Sequence, residues 1–168
     1  MDSKTKKTIF IASIFLIVIC ALSVLYHVNN YKAYEVKTGA CFCKIDRVGQ
    51  GDTAVTKWNI GIADNNVKSG IVQNESNRKT LEQFKDTVGG ITEKKLELFL
   101  AIIYFLYVVI LFVSAQKDSH IRENKRNKKY FQLFIALLII FLIYKITDSF
   151  VTLSVLYQNM NYYFDLIS

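Results

Sequence analysis

The chain has 168 residues with a formal net charge of +7, 52% hydrophobic and 14% aromatic residues, and no proline. That is too apolar for an ordinary soluble domain of this size. The apolar residues fall in three blocks separated by charged sequence, the multi-pass pattern rather than that of one soluble core. The fold class expected is an integral membrane protein: three transmembrane α-helices, with a small extracytoplasmic β-rich (α+β) domain between the first and second spans.

Residues 1–7 form a basic tail with Lys4, Lys6 and Lys7. The first block, residues 8–28, "TIFIASIFLIVICALSVLYHV", has no ionisable side chain of the acidic or basic kind apart from His27. At about 1.5 Å per residue it covers roughly 30 Å, enough to cross a bilayer. A cleaved signal peptide would need a shorter apolar run followed by an A-x-A site, so the segment is expected to be retained as a span. A lipoprotein reading fails on Ile19, where a small residue before Cys20 is needed.

Residues 29–97 read as one small folded unit. "KAYEVKTG", "ACFCKIDRV", "TAVTKWNIGIA" and "VKSGIVQN" are strand-like runs separated by "GQGD" and "DNN", which favour turns. They predict a meander of three or four antiparallel strands. Thr56, Trp58, Ile60 and Ile62 alternate with Lys57, Asn59 and Gly61, the period of a half-buried strand with Trp58 in its core. "NRKTLEQFKDTV" then predicts a short helix ended by Gly89 and Gly90, after which Thr92 and Glu93 would cap the next one.

The second span, 98–115, carries no charge, and a basic hairpin, 116–130, follows. The third span is assigned to 131–157, although its purely apolar run stops at Tyr144, about 21 Å along. The helix must therefore continue through Lys145 and Asp148. One turn apart, these two can pair on one helical face. They serve either as an anchor at the outer interface, with the lysine snorkelling toward headgroups, or as a polar seam with Thr152 facing another helix. Residues 158–168 remain as an outer tail.

Positive charge sets the orientation. Lys4, Lys6 and Lys7, and the hairpin residues Lys117, Arg122, Lys125, Arg126, Lys128 and Lys129, should be cytoplasmic, with the C-terminus outside. Arg122, Lys125, Arg126, Lys128 and Lys129 determine topology, touch anionic headgroups or dock an acidic soluble protein. Without interleaved aromatics, nucleic acid is an unlikely partner for them.

Chemistry is sparse. Cys41 and Cys43 share one face of a strand on the outer side, where disulfides are permitted; they are read as buried structural thiols, a disulfide within the pair or between subunits, or a redox or metal pair. His27 and His120 fall on opposite sides of the bilayer, so no metal site is expected, nor any cofactor. No G-x-S-x-G, H-E-x-x-H or Walker A pattern occurs, and Asp46, Asp52 and Asp64 sit in or beside turns that favour aspartate. Asn74-Glu75-Ser76 matches a glycosylation sequon of the kind that arises by chance.

The expected function is that of a non-enzymatic membrane subunit. It would bind or sense at the outer face and anchor or signal to a cytoplasmic partner, in a bilayer and as a homo-oligomer or with that partner. The Lys-, Asn- and Ile-rich style points to the bacterial inner membrane and to antiphage defence, exclusion or immunity systems. The alternatives are a homo-oligomeric pore lined by the Lys145 stripe and an outer-face thiol oxidoreductase using Cys41 and Cys43.

Overall fold

The computed structural model describes residues 3–32, 34–49, 54–63, 65–116 and 125–167. In chain order these form α1 (Ser3–Asn30), β1 (Tyr31–Lys32), β2 (Glu35–Thr38), β3 (Cys41–Val48), β4 (Val55–Ala63), β5 (Asn66–Val72), α2 (Arg78–Gln116) and α3 (Lys125–Leu166). The strands make one antiparallel sheet in the order β1-β2-β3-β4-β5, in which β1 is only two residues long. The sheet therefore lies in sequence between a shorter apolar helix and two long ones. Residues cluster into two compact units, one of Met1–Val24 with Glu97–Phe150 and the other of Leu25–Leu96 with Val151–Ser168.

In the sheet unit the expected meander forms, and its turns explain its register. Thr38 pairs with Cys41 across Gly39 and Ala40. Gly39 has φ 63° while no described non-glycine residue has positive φ, the requirement of a type II′ hairpin. Between β4 and β5, Trp58 pairs with Ile71 but Ile60 with Lys68, so β5 carries one extra residue in a bulge. Gly70 takes the left-handed conformation there, φ 71°, and its N–H donates to the Asn59 side-chain oxygen at 2.8 Å. The bulge changes the phase of the strand. Lys68 thereby joins Val36, Cys43 and Ile60 in one cross-strand row.

The buried side of this sheet carries Val36, Cys41, Cys43, Trp58 and Ile60. Leu81, Phe84, Val88 and Ile91, at helical spacing on α2, and Leu153, Met160 and Phe164 on α3 complete the buried interior. The Phe84 and Phe164 rings meet with centroids 6.1 Å apart. Trp58, expected in the core, is buried, and its indole N–H donates to the Gln73 side chain at 2.9 Å.

Two expectations fail here for one reason. Gly89 and Gly90 do not end a helix: α2 runs on through them to Gln116. Thr92 is interior to that helix, its hydroxyl bonded back to the Val88 carbonyl at 3.1 Å, as Thr87 is to Gln83 at 2.7 Å. Likewise residues 158–166 are not a tail but the last turns of α3, and residues 151–168 belong to the sheet unit. In both places a buried apolar face outweighs weak local propensity. A methyl group at Gly90 would meet only Leu156, at ordinary contact distance.

In the other unit all the described residues are helical. Val108, Ile135 and Leu142 form its buried cluster, with Phe105, Phe112, Phe131, Leu138 and Ile139 packed around them. α2 and α3 are long and apolar enough to cross a membrane; only 6% of the apolar window of α2 and 17% of that of α3 is buried in the chain. The apolar stretch of α1, Ile9–Leu25, is shorter. It is tied to α2 by a hydrogen bond between the Ser13 and Tyr107 hydroxyls at 2.9 Å.

Candidate functional site

Lys145 lies in the middle of α3 and is half-exposed, as is its partner. That partner is not Asp148. The Lys145 ammonium stands 3.9 Å from Glu97 Oε1, whose residue immediately precedes the uncharged run of α2. Long-range packing between two helices has overridden the local one-turn pairing, because antiparallel neighbours bring Glu97 to the level of Lys145. Asp148 is partly buried, and Ser149 is fully buried with its hydroxyl unpartnered among the described residues. Thr152 clusters with the sheet unit.

The geometry locates the ion pair physically. Glu97 and Lys145 mark the same level on two apolar helices, where the uncharged run of α2 begins and that of α3 stops. A half-exposed pair at 3.9 Å contributes little stability, of order 0–1 kcal/mol, so its value is positional. Charges at the end of an apolar stretch cost less than charges within it.

Of the basic segment, Arg122 lies outside the described residues. Lys125, Arg126 and Lys128 form the first turn of α3 with Lys129, which is exposed. Of the hairpin expected over 116–130, residues 117–124 lie outside the described residues, Gln116 ends α2 and residues 125–130 already belong to α3.

Cys41 and Cys43 are free thiols, both buried under the sheet unit's helices rather than joined to each other or displayed. Cys41 Sγ donates to the Ile62 carbonyl at 3.4 Å. Burial pushes the Cys41 thiol up, against a smaller opposing effect of Lys95. It pushes Cys43 up to about 12, with Lys85 opposing and Asp86 reinforcing. A thiol protonated at neutral pH and closed to solvent is a poor nucleophile and a poor metal ligand. The arrangement is that of core side chains. Among the described residues, no three His, Cys, Asp or Glu side chains gather as a metal site would need.

Lys68 was not among the residues singled out from sequence. Its ammonium donates to the Phe164 carbonyl at 2.7 Å and to that of Ile167, and lies 4.6 Å from the centroid of the Phe164 ring. A cation at the exposed carbonyls of a helix C-terminus is electrostatically favourable and satisfies groups the helix leaves unpaired. Lys95 similarly sits 5.5 Å from the Tyr157 ring centroid. Neither contact was legible beforehand: the bulge at Gly70 turns Lys68 toward the helices, and strand periodicity alone would place Ser69 there.

On the opposite, open face, Asp46 accepts from the Asn59 amide at 2.9 Å and stands 3.3 Å from Lys44. At the sequon, Asn74 accepts from Ser76 at 2.7 Å and from the Asn77 N–H at 2.9 Å, while Asn77 accepts from the Asn74 N–H at 2.8 Å. This reciprocal turn leads into α2 and accounts for the triplet structurally. Compared with known proteins, the chain matches no family model, no curated protein and no solved structure.

Proposed function

We infer that this chain is a multi-pass membrane subunit that acts by binding rather than by catalysis. The observation that carries this reading is the contrast between the great length and apolarity of α2 and α3 and how little of that apolar surface the chain itself covers. A core helix of a soluble protein would be mostly buried, whereas a lipid-facing one need not be. In this reading α1 is the third span, the N-terminus and the segment containing Arg122 to Lys129 are cytoplasmic, and the sheet unit and C-terminus are outside, in a bacterial inner membrane. The sheet unit offers its open face, with Lys44, Asp46, Lys57 and Asn59, to a ligand or partner. The basic segment holds anionic headgroups or an acidic soluble protein. The Lys-, Asn- and Ile-rich composition is the ground for placing such a subunit among accessory parts of bacterial antiphage, exclusion or immunity systems.

The test is cysteine accessibility in intact cells. A Ser69→Cys variant, at an exposed position of β5, should label from outside only, and Ser119→Cys only after the inner face is opened; the reverse pattern would overturn the topology. Pull-down from crosslinked membranes should then return a soluble protein that is lost when Lys125, Arg126, Lys128 and Lys129 are neutralised.

A second reading, a homo-oligomeric pore, draws on one observation: the Glu97–Lys145 pair is half-exposed on otherwise apolar helices. Three spans are too few to enclose a passage alone. In that case Lys145→Leu should dissociate the oligomer and abolish conductance. In the anchor reading the same variant inserts and assembles normally.

A further inference from the structure

α3 carries a mirrored pair of boundary residues. Lys129 and Tyr130 stand at one end of its apolar stretch, Tyr144 and Lys145 at the other. Both tyrosines are 64% exposed, and between them Leu133, Phe134, Leu137, Ile140 and Phe141 are exposed as well. Tyrosine at headgroup level with lysine just beyond it is the arrangement by which helices are held at both interfaces. The two lysines are 16 helical steps apart, which at 1.5 Å per residue is about 24 Å; the two tyrosines are about 21 Å apart.

α2 shares one boundary of this band with α3. Glu97 is held at the level of Lys145, and Phe112 and Phe131 each pack against the cluster of Val108, Ile135 and Leu142. The distance along α2 from Glu97 to Phe112 is about 22 Å, and the whole uncharged run 98–115 is about 27 Å long. Any tilt of the helices shortens these lengths across a bilayer. A typical hydrocarbon core is about 30 Å thick.

We propose that the helical unit is matched to a bilayer with a hydrocarbon layer thinner than average, about 22–24 Å, so that short-chain lipid is the surface it fits. This rests on the membrane reading above. The partner is lipid, because the exposed side chains between the two tyrosine positions are apolar and the charges stand at the ends of the band rather than within it. In a thicker bilayer Lys129 and Lys145 must snorkel through more hydrocarbon, or the bilayer must thin around the helices, at a cost that grows with each ångström of mismatch.

The experiment is reconstitution of the full chain into phosphatidylcholine vesicles with diacyl chains of 14:1, 18:1 and 22:1. Thermal unfolding is followed by helical circular dichroism, and insertion is scored by resistance to alkaline carbonate. The midpoint should be highest in 14:1 and lower in 22:1 by at least about 5 °C. A Lys129→Leu/Lys145→Leu variant lengthens the apolar band and should move the optimum to 18:1 or beyond. An inserted protein whose midpoint is flat or highest in 22:1, or a double variant whose optimum stays at 14:1, overturns the matching. Removal of the wild-type chain by carbonate from all three vesicles would instead overturn the membrane reading, and the matching with it.

Discussion

Phe84 and Phe164 are fully buried in the sheet unit, whereas Phe134 and Phe141, in the helical unit, are more than half exposed. The two regions draw on the same apolar residue types and place them in opposite ways. In the sheet unit a half-polar sheet and the ends of two helices close around Val36, Cys43, Ile60, Leu81 and Val88, so that water supplies the driving force for folding. Among the described apolar residues of the helical unit only Val108, Ile135 and Leu142 are deeply buried, and many large apolar side chains are exposed. High hydrophobicity alone therefore says little about a core. What matters is whether backbone geometry turns the apolar face toward the chain or away from it.

The sharpest way to break this comparison is to truncate one aromatic in each region. Phe84→Ala should cost about 3–5 kcal/mol and unfold the sheet unit, as seen in denaturant titration of the solubilised protein. Phe134→Ala should cost within about 0.5 kcal/mol. Equal losses would mean that the outward band is covered by protein and not by lipid or detergent.

The buried thiol offers a second contrast, through pH. Cys43 ionises in the unfolded chain near 9.0 but only near 12 when folded. Above pH 9 the unfolded state therefore binds fewer protons than the folded one, and stability falls as pH rises. The contribution is fully present below pH 9 and is lost between pH 9 and 12, on the order of 3 kcal/mol by the upper end. Denaturation midpoints across that range should fall more steeply for the native chain than for Cys43→Ala. Native alkylation should leave Cys43 unmodified at pH 8.

Lys68→Met would keep much of the stem's packing and remove the charge from the end of α3. A loss of about 1–3 kcal/mol is expected, because the Phe164 and Ile167 carbonyls lose their donor. Hydrogen exchange should show the last turn of α3 fraying while the amides of β3 and β4 stay protected. No change in exchange would mean that the clamp contributes nothing to holding the helix.

The smallest effect has the opposite sign. A Cβ at Gly90 would lie 3.5 and 3.6 Å from the Leu156 methyls, which is ordinary contact. Gly90→Ala should therefore stabilise α2 by about 0.5–1 kcal/mol, through lower entropy of the unfolded chain and better helix propensity. A thermal midpoint that falls would show that the helices approach more closely there than this spacing.

By itself the sequence determined the antiparallel meander, through the alternation around Trp58 and the turn residues that bound its strands, and it determined the long apolar helices, through composition and length. Those are local or periodic properties, and short-range physics suffices to read them. Only the tertiary structure decided that α2 runs unbroken through Gly89 and Gly90, since a buried helical face outweighs two residues of poor propensity. It also decided the surroundings of the candidate site. Lys145 meets Glu97 because two antiparallel helices bring distant residues to one level, Lys68 reaches α3 because one extra residue changes a strand's phase, and Cys41 and Cys43 lie buried as free thiols because helices cover their face of the sheet. Each of these depends on which segment packs against which, a choice made by the sum of many small contacts that no single stretch of the sequence contains.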